Sequence, residues 1–211
     1  MTRSGRSSWR AARFVAVDVE TTGLDPQRDE IISFAAVPVE AGRIASGEAV
    51  SGLVRPRLAP AAASVEIHGL RPVDLEAAAP APEALAPLAA ALRGRIPVAH
   101  AAWVERGFLA PPLRELGSRW PRRTVDTAVL WRLLCLDRGL DDPGWCGLGS
   151  VVTALGLPSH RPHEAEGDAL TAAQLFLALA THLEGHGHRT VRALTEAERH
   201  VRGWRLWHPP R

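Results

Sequence analysis

The chain has 211 residues, of which 46% are apolar and 23% charged, with a formal net charge of +2. That composition suits a globular domain with a sizeable core and excludes collagen-like or highly charged disordered chains. No stretch approaches the roughly 18 apolar residues of a membrane span, and the N-terminus lacks an apolar signal-peptide core. The two cysteines, Cys135 and Cys146, have neither zinc-ligand spacing nor the numbers of a disulfide framework; they fit a reducing compartment, and a cytoplasmic location is expected.

Every basic residue is Arg, with no Lys. Together with abundant Ala, Pro and Gly this reflects GC-rich coding, so Arg abundance alone says little about phosphate binding. The distribution is more informative. Residues 1–13 carry four Arg and no acid, residues 189–211 carry six Arg against two Glu, and residues 14–188 carry a net −6. An acidic body with basic ends suits a metal-loaded site that attracts a polyanion, or simply solvated termini.

Residues 1–12 are read as a flexible basic arm. A first strand, about 13–20, runs into a turn rich in Thr, Gly, Asp and Pro, followed by strands at about 31–39 and 44–55 that complete a meander. A short helical turn at 64–70 stops at Gly69. Residues 82–92 form an Ala/Leu-rich helix with a Pro87 that kinks it or moves its start. A fourth strand, 96–100, is expected beside the first and leads into a helix from Ala101 that should break at Pro111-Pro112. Residues 125–136 pass from strand to helix, 148–155 form a short helix, and 164–183 form the clearest one. A basic amphipathic helix is expected at about 189–203. The strand–helix alternation implies an α/β fold with a mixed sheet. The chain thus divides into the arm 1–12, a domain 13–185 and a basic extension 186–211.

The chemistry centres on Asp18 and Glu20 in the run Phe14-Val15-Ala16-Val17-Asp18-Val19-Glu20. Side chains two apart in a strand share a face, roughly 7 Å apart at about 3.3 Å rise per residue. Two acids on one face are costly unless a positive charge sits between them, and a hard divalent cation is one answer. Two solvated acids at an exposed strand end are the plainer alternative. Two further places offer acids: Glu105 in the first turns of the helix after strand four, and His163 with Asp168. The latter two are five apart, about 140° on a helix, so a shared site requires His163 on the preceding loop. Pro162 favours that loop.

Asp18-Val19-Glu20-Thr21-Thr22-Gly23-Leu24, followed by His163 five residues before Asp168, resembles the DEDDh family of 3′–5′ exonucleases, the group that contains the epsilon proofreading subunit of bacterial DNA polymerase III. Ile67-His68-Gly69, Val125-Asp126-Thr127 and Gly147-Leu148 add to the likeness, which spans about 13–183. The resemblance implies an RNase H-like fold, a five-stranded mixed β-sheet flanked by α-helices. It implies two divalent cations, Mg²⁺ or Mn²⁺, held by Asp18, Glu20, Asp168 and Glu105, with His163 as general base. The backbone around Thr21, Thr22 and Gly23 would lie against the terminal nucleotide, with His68 and Phe108 lining its site, whereas Asp126 reads as structural.

One motif departs from the family. The usual His-Asn-Ala-x-Phe-Asp reads His100-Ala101-Ala102-Trp103-Val104-Glu105, which moves the acid outward by about 1.5 Å. The expected function is a metal-dependent 3′–5′ exonuclease that releases nucleoside 5′-monophosphates from nucleic-acid 3′ ends, DNA favoured over RNA. No polymerase or helicase domain fits in this length, so a stand-alone enzyme or a subunit docked to a DNA polymerase or another replication or repair protein is expected. The alternative is a catalytically weakened nucleic-acid-binding or adaptor module on the same fold. The Arg-rich tail with Trp204 and Trp207 suits a nucleic-acid strand, a partner groove or plain packing.

Overall fold

A computed structural model describes residues 7–201. Six strands form one mixed sheet: β1 (Arg13–Thr21), β2 (Ile31–Glu40), β3 (Arg43–Ile44), β4 (Val50–Leu53), β5 (Ile96–Ala99) and β6 (Val125–Asp126). The order is β3-β2-β1-β5-β6, with β4 also pairing β2. β1 and β2 are antiparallel; β1, β5 and β6 run parallel. The expected third strand is split into β3 and β4 by a 3-10 turn at Ser46–Glu48, which makes the count six instead of five.

The helices are α1 (Ala62–His68), α2 (Pro72–Leu75), α3 (Ala81–Ala84), α4 (Ala86–Leu92), α5 (Trp103–Glu115), α6 (Thr127–Asp137), α7 (Leu148–Ala154), α8 (Ala165–Gly185) and α9 (Val191–Thr195). α3 and α4 divide at Leu85, just before Ala86-Pro87, because a proline is tolerated only in a helix's first turn. α5, in contrast, runs through Pro111 and Pro112 without the expected break. Its inward residues Phe108, Leu109 and Leu113 are buried on both sides of the prolines, and that packing holds the helix together where two N–H donors are missing.

The period-two alternation of β1 builds two cores. Phe14 and Ala16 face one, packed with α6, α7 and α8; Val15, Val17 and Val19 face the other, packed with α4 and α5. Asp18 and Glu20 share the parity of Phe14 and Ala16, so they emerge on the α8 side of the sheet. α8 is the central helix, with Ala169, Ala173, Leu175, Phe176, Leu179 and Leu183 shut off from solvent.

Among the described residues, 7–12 and 189–201 pack against the domain instead of forming the loose arms that composition suggested. Trp9 is buried, meets Phe176 edge-on at 5.9 Å, and lies under the Arg10 guanidinium at 4.5 Å. Ser8 bridges Thr190, and Trp9 N–H donates to the Arg189 carbonyl at 3.2 Å. The expected long tail helix is the five-residue α9 followed by a 3-10 turn at Ala197–Arg199, and Val191, Leu194, Ala197 and Val201 enter the core. Burying these apolar groups outweighs extending an exposed basic helix. Trp204 and Trp207 lie outside the described residues. No helix among the described residues is long and apolar enough to cross a membrane.

Candidate active site

Asp18 and Glu20 near the end of β1 meet Asp168 in the first turn of α8. One carboxylate oxygen from each lies within 4.8 Å of the others. Each residue keeps a fringe exposed to solvent, yet the carboxylates are withdrawn from water enough to pay for their charge. Burial, then Glu105, Glu20 and Asp168, push Asp18 well above the usual carboxylate range. Burial and Asp168 push Glu20 up to about 8. Asp168 is raised by burial and partly relieved by the backbone N–H and charge of His163. No positive side chain is among the causes for Asp18 and Glu20, and His163 is the one that acts on Asp168.

Glu105 completes the group from α5. It is 3% exposed, and its Oε2 is buried with no hydrogen-bond partner. Burial, opposed by its own backbone N–H and reinforced by Asp126, raises its carboxyl well above the ordinary value. A buried orphan acceptor beside three converging carboxylates is the donor set that a hard divalent cation requires. The residues fit such an ion.

His163 stands on the loop before α8, as its distance from Asp168 required. Its φ is +63°, and its backbone N–H donates to Asp168 Oδ2 at 2.8 Å, which leaves the exposed imidazole free of that duty. Gly167 makes this loop possible. A Cβ there would overlap the carbonyl oxygens of His160 and Arg161, so only glycine lets residues 160–163 cross the start of α8 this closely. A glycine one residue before Asp168, inside a helical pattern, was the available signal for that close approach.

His68 closes the other side. Gly69 caps α1 in the left-handed region at φ +74°, and His68 Nδ1 accepts the Leu70 N–H at 3.1 Å. Nε2 is therefore the protonated nitrogen; it is buried without a formed bond, facing the Thr21 backbone. Burial lowers the His68 pKa, the Thr21 backbone offsets part of that, and nearby His163 lowers it further.

The turn after Glu20 spends much of its polar surface internally. Thr21 Oγ1 donates to the Gly23 carbonyl at 2.6 Å. Thr22 is buried; its hydroxyl donates to Asp29 Oδ1 at 3.1 Å and accepts the Glu30 N–H at 3.0 Å, while its carbonyl accepts from Ser64 Oγ at 2.9 Å. Its side chain shapes the turn, and the contact expected there is one of backbone. A Cβ on Gly23 would strike the Asp29 carboxylate. Asp29 thus organises this turn, a role that the motif alone did not reveal. Phe108 lies on the inward face of α5. It is 5% exposed in the second core, and its edge faces a separate cleft of about 340 Å³ shared with Pro26, Ile31, Arg55 and Pro82.

Asp126, at the end of β6, is structural. Its carboxylate accepts the N–H groups of Ala101 (3.2 Å), Ala102 (2.8 Å) and Ala128 (2.9 Å), capping α6 and clamping the corner between β5 and α5. Ala101 in that corner is held at φ +68°, a conformation that costs a β-carbon roughly 1–2 kcal/mol. His100 secures the same corner, with Nε2–H donating to the Cys146 carbonyl and Nδ1 accepting from Thr127 Oγ1, both at 2.8 Å. Its burial lowers the pKa to about 4 and keeps it neutral.

Clustered acids at the C-terminal end of a curled mixed sheet, with His163 on a flanking loop and His68 at the end of α1, define an RNase H-like architecture. The Exonuclease family model matches residues 15–176, and the chain belongs to that family. It is an exonuclease domain homologous to 3′–5′ exonucleases. It is 37% identical over 172 residues to a DNA polymerase III PolC-type of Thermotoga petrophila, covering 81% of this chain and 12% of that one. It is 32% identical to a DNA polymerase III subunit epsilon-like protein of Rhodobacter capsulatus (90% and 27%), and 30% identical to the 3′-5′ exonuclease DinG of Bacillus subtilis (89% and 20%). The chain therefore spans a small part of the length of these curated relatives. Among solved structures, Exonuclease X in complex with 5′ overhanging duplex DNA aligns with a TM-score of 0.67 at 21% identity, over 88% of this chain and 98% of that one. E. coli Exonuclease I in complex with a dT13 oligonucleotide aligns at 0.68 with 16% identity, over 82% and 42%. At those identities the likeness concerns the fold.

Proposed function

We propose that the chain is a metal-dependent 3′–5′ exonuclease that hydrolyses the terminal phosphodiester of a nucleic-acid 3′ end, preferentially DNA, and releases nucleoside 5′-monophosphates. The observation that carries this reading is the convergence of Asp18, Glu20 and Asp168 within 4.8 Å while the buried Glu105 oxygen stays unpartnered. Asp18, Glu20 and Asp168 would hold divalent cations, two of Mg²⁺ or Mn²⁺, with Glu105 supporting the second. Such ions supply Lewis-acid activation of water and neutralise charge on the phosphate oxygens.

The chain's own residues do the rest. His163 takes the proton of the attacking water on its exposed imidazole, and the His163–Asp168 backbone bond fixes the distance between base and carboxylates. Water oxygen adds to phosphorus, the bond to the 3′ oxygen breaks, and that oxygen leaves with a proton from solvent. His68 Nε2–H and the Thr21–Gly23 backbone border the place of the terminal nucleotide. The catalytic unit is residues 13–185. The free thiols of Cys135 and Cys146 support a cytoplasmic location. The PolC-type and epsilon-like relatives support association with a DNA polymerase or a related replication or repair protein.

The test is release of label from a 3′-labelled oligonucleotide with Mg²⁺ or Mn²⁺, on single-stranded DNA, duplex DNA and RNA in parallel. Wild type should release label and Asp18→Ala should not. Equal inertness of the two proteins in both metals would favour the second reading, a weakened nucleic-acid-binding module. The specific observation behind that reading is the added methylene of Glu105; Glu105→Asp should then speed turnover in Mg²⁺, and an unchanged rate would remove its basis.

A further inference from the structure

α5 has two working faces. Inward, Glu105 reaches the carboxylate cluster and Phe108, Leu109 and Leu113 fill the core. Outward, Arg106, Ala110 and Arg114 recur every four residues and form one stripe. With Arg119, Trp120 and Arg122 from the following loop, that stripe lines a cleft of about 300 Å³. All four arginines are exposed, and among the described residues no acid lines the cleft and none of the four makes an ion pair. Elsewhere Arg10, Arg13, Arg57, Arg95 and Arg132 each find a carboxylate within 4 Å. GC-rich coding explains many arginines; it does not explain four gathered around one cavity with no acid in its lining. Like charges so placed repel one another unless an anion joins them. Trp120 is half-buried, its Nε1–H fixed to Thr124 Oγ1 at 3.0 Å, and it gives the cleft a rigid aromatic wall.

We propose that this cleft binds the phosphodiester backbone of nucleic acid at phosphates beyond the one that is cleaved. The inference rests on the exonuclease reading, because it places those phosphates on the flank of the helix that carries Glu105. Arg106 and Arg114 are separated by about 12 Å along the helix axis. That is the axial rise of roughly three to four nucleotides in one duplex strand. The guanidinium forks suit phosphate oxygens, and Trp120 offers a face for a base or sugar. The cleft would set grip on longer chains and leave bond breaking to the carboxylates.

The experiment uses the full chain with Arg114, Arg119 and Arg122 changed together to Gln, sparing Arg106 beside Glu105. Fluorescence anisotropy with a 20-nucleotide DNA, in an Asp18→Ala background that prevents turnover, is followed from 50 to 200 mM salt. Neutralising three phosphate contacts should reduce the slope of log K against log salt by about 2 for a single strand. Affinity at 100 mM salt should fall at least about tenfold, and the corresponding Lys variants should retain the slope. In the active background, kcat/KM should fall on the 20-mer and stay unchanged on a dinucleotide. An unchanged slope, or an equal loss on the dinucleotide, overturns the proposal. If the 20-mer is bound in an Arg-dependent way but never cleaved, the exonuclease reading fails while the cleft stands. If it is cleaved with no dependence on these arginines, the cleft fails and the exonuclease reading stands.

Discussion

Asp18 and Asp126 stand at the same end of the parallel strands β1 and β6, both withdrawn from water, and the fold answers them differently. Asp126 receives three backbone N–H bonds and a contribution from Val129 N–H, so burial raises its pKa only to about 6. Asp18 receives more carboxylates as neighbours, and its charge is disfavoured far more strongly. A buried acid met by N–H donors is scaffold; one surrounded by other acids is a vacancy for positive charge. Two aspartates at the same end of one sheet thus meet opposite electrostatic surroundings.

The largest test of that contrast is Asp18→Asn. It should lower the exonuclease rate by on the order of 10³-fold and at the same time raise the stability of the metal-free protein, measured by thermal melting in EDTA. A variant that lost both activity and stability would mean that Asp18 is scaffold after all. Asp126→Ala should behave in the opposite sense. Stranding its N–H donors should cost about 2–4 kcal/mol in denaturant unfolding, with activity lost only as the corner carrying Glu105 loosens.

His100 should give a pH signature to the same corner. The fold keeps it neutral down to about pH 4, whereas the unfolded chain binds a proton below its ordinary value of 6.5. The unfolded state therefore holds more protons in that window, so His100's contribution is present above pH 6.5 and drains away as pH falls toward 4. The loss is at most about 3 kcal/mol. Unfolding measured at pH 7 and pH 4.5 should show a smaller difference for His100→Gln than for wild type; parallel curves would refute it. Smallest is Ala101→Gly, which relieves the +68° backbone and should raise stability by about 0.5 kcal/mol, while Ala128→Gly within α6 should lower it by about 1 kcal/mol.

The strand carrying Asp18 and Glu20 was legible because a period of two assigns faces without knowledge of neighbours. His163 and Asp168 were legible as a loop–helix pair because their spacing fits no single helical face. The corner at Asp126 was much less so: its bonds go to backbone N–H groups of Ala101, Ala102 and Ala128, and those donors exist in every sequence. The internal bonds of the Thr22 hydroxyl were hidden for a related reason, since a motif fixes position along the chain but not whether a side chain turns outward or into its own turn. The prolines of α5 misled because local propensity yields to burial of Phe108, Leu109 and Leu113. Trp9 was missed because it pairs with Phe176, far away in the chain.

Gly167 has a consequence for motion. Asp168 rides on α8, whose buried face runs through the core, so its backbone amide should exchange with solvent deuterium only on global unfolding. His163 hangs on the crossing loop that Gly167 admits, exposed and held to α8 through its own backbone N–H. Its amide should open in a local event of much lower free energy. The carboxylate of Asp168 and the imidazole of His163 therefore sit on parts of the molecule with different clocks.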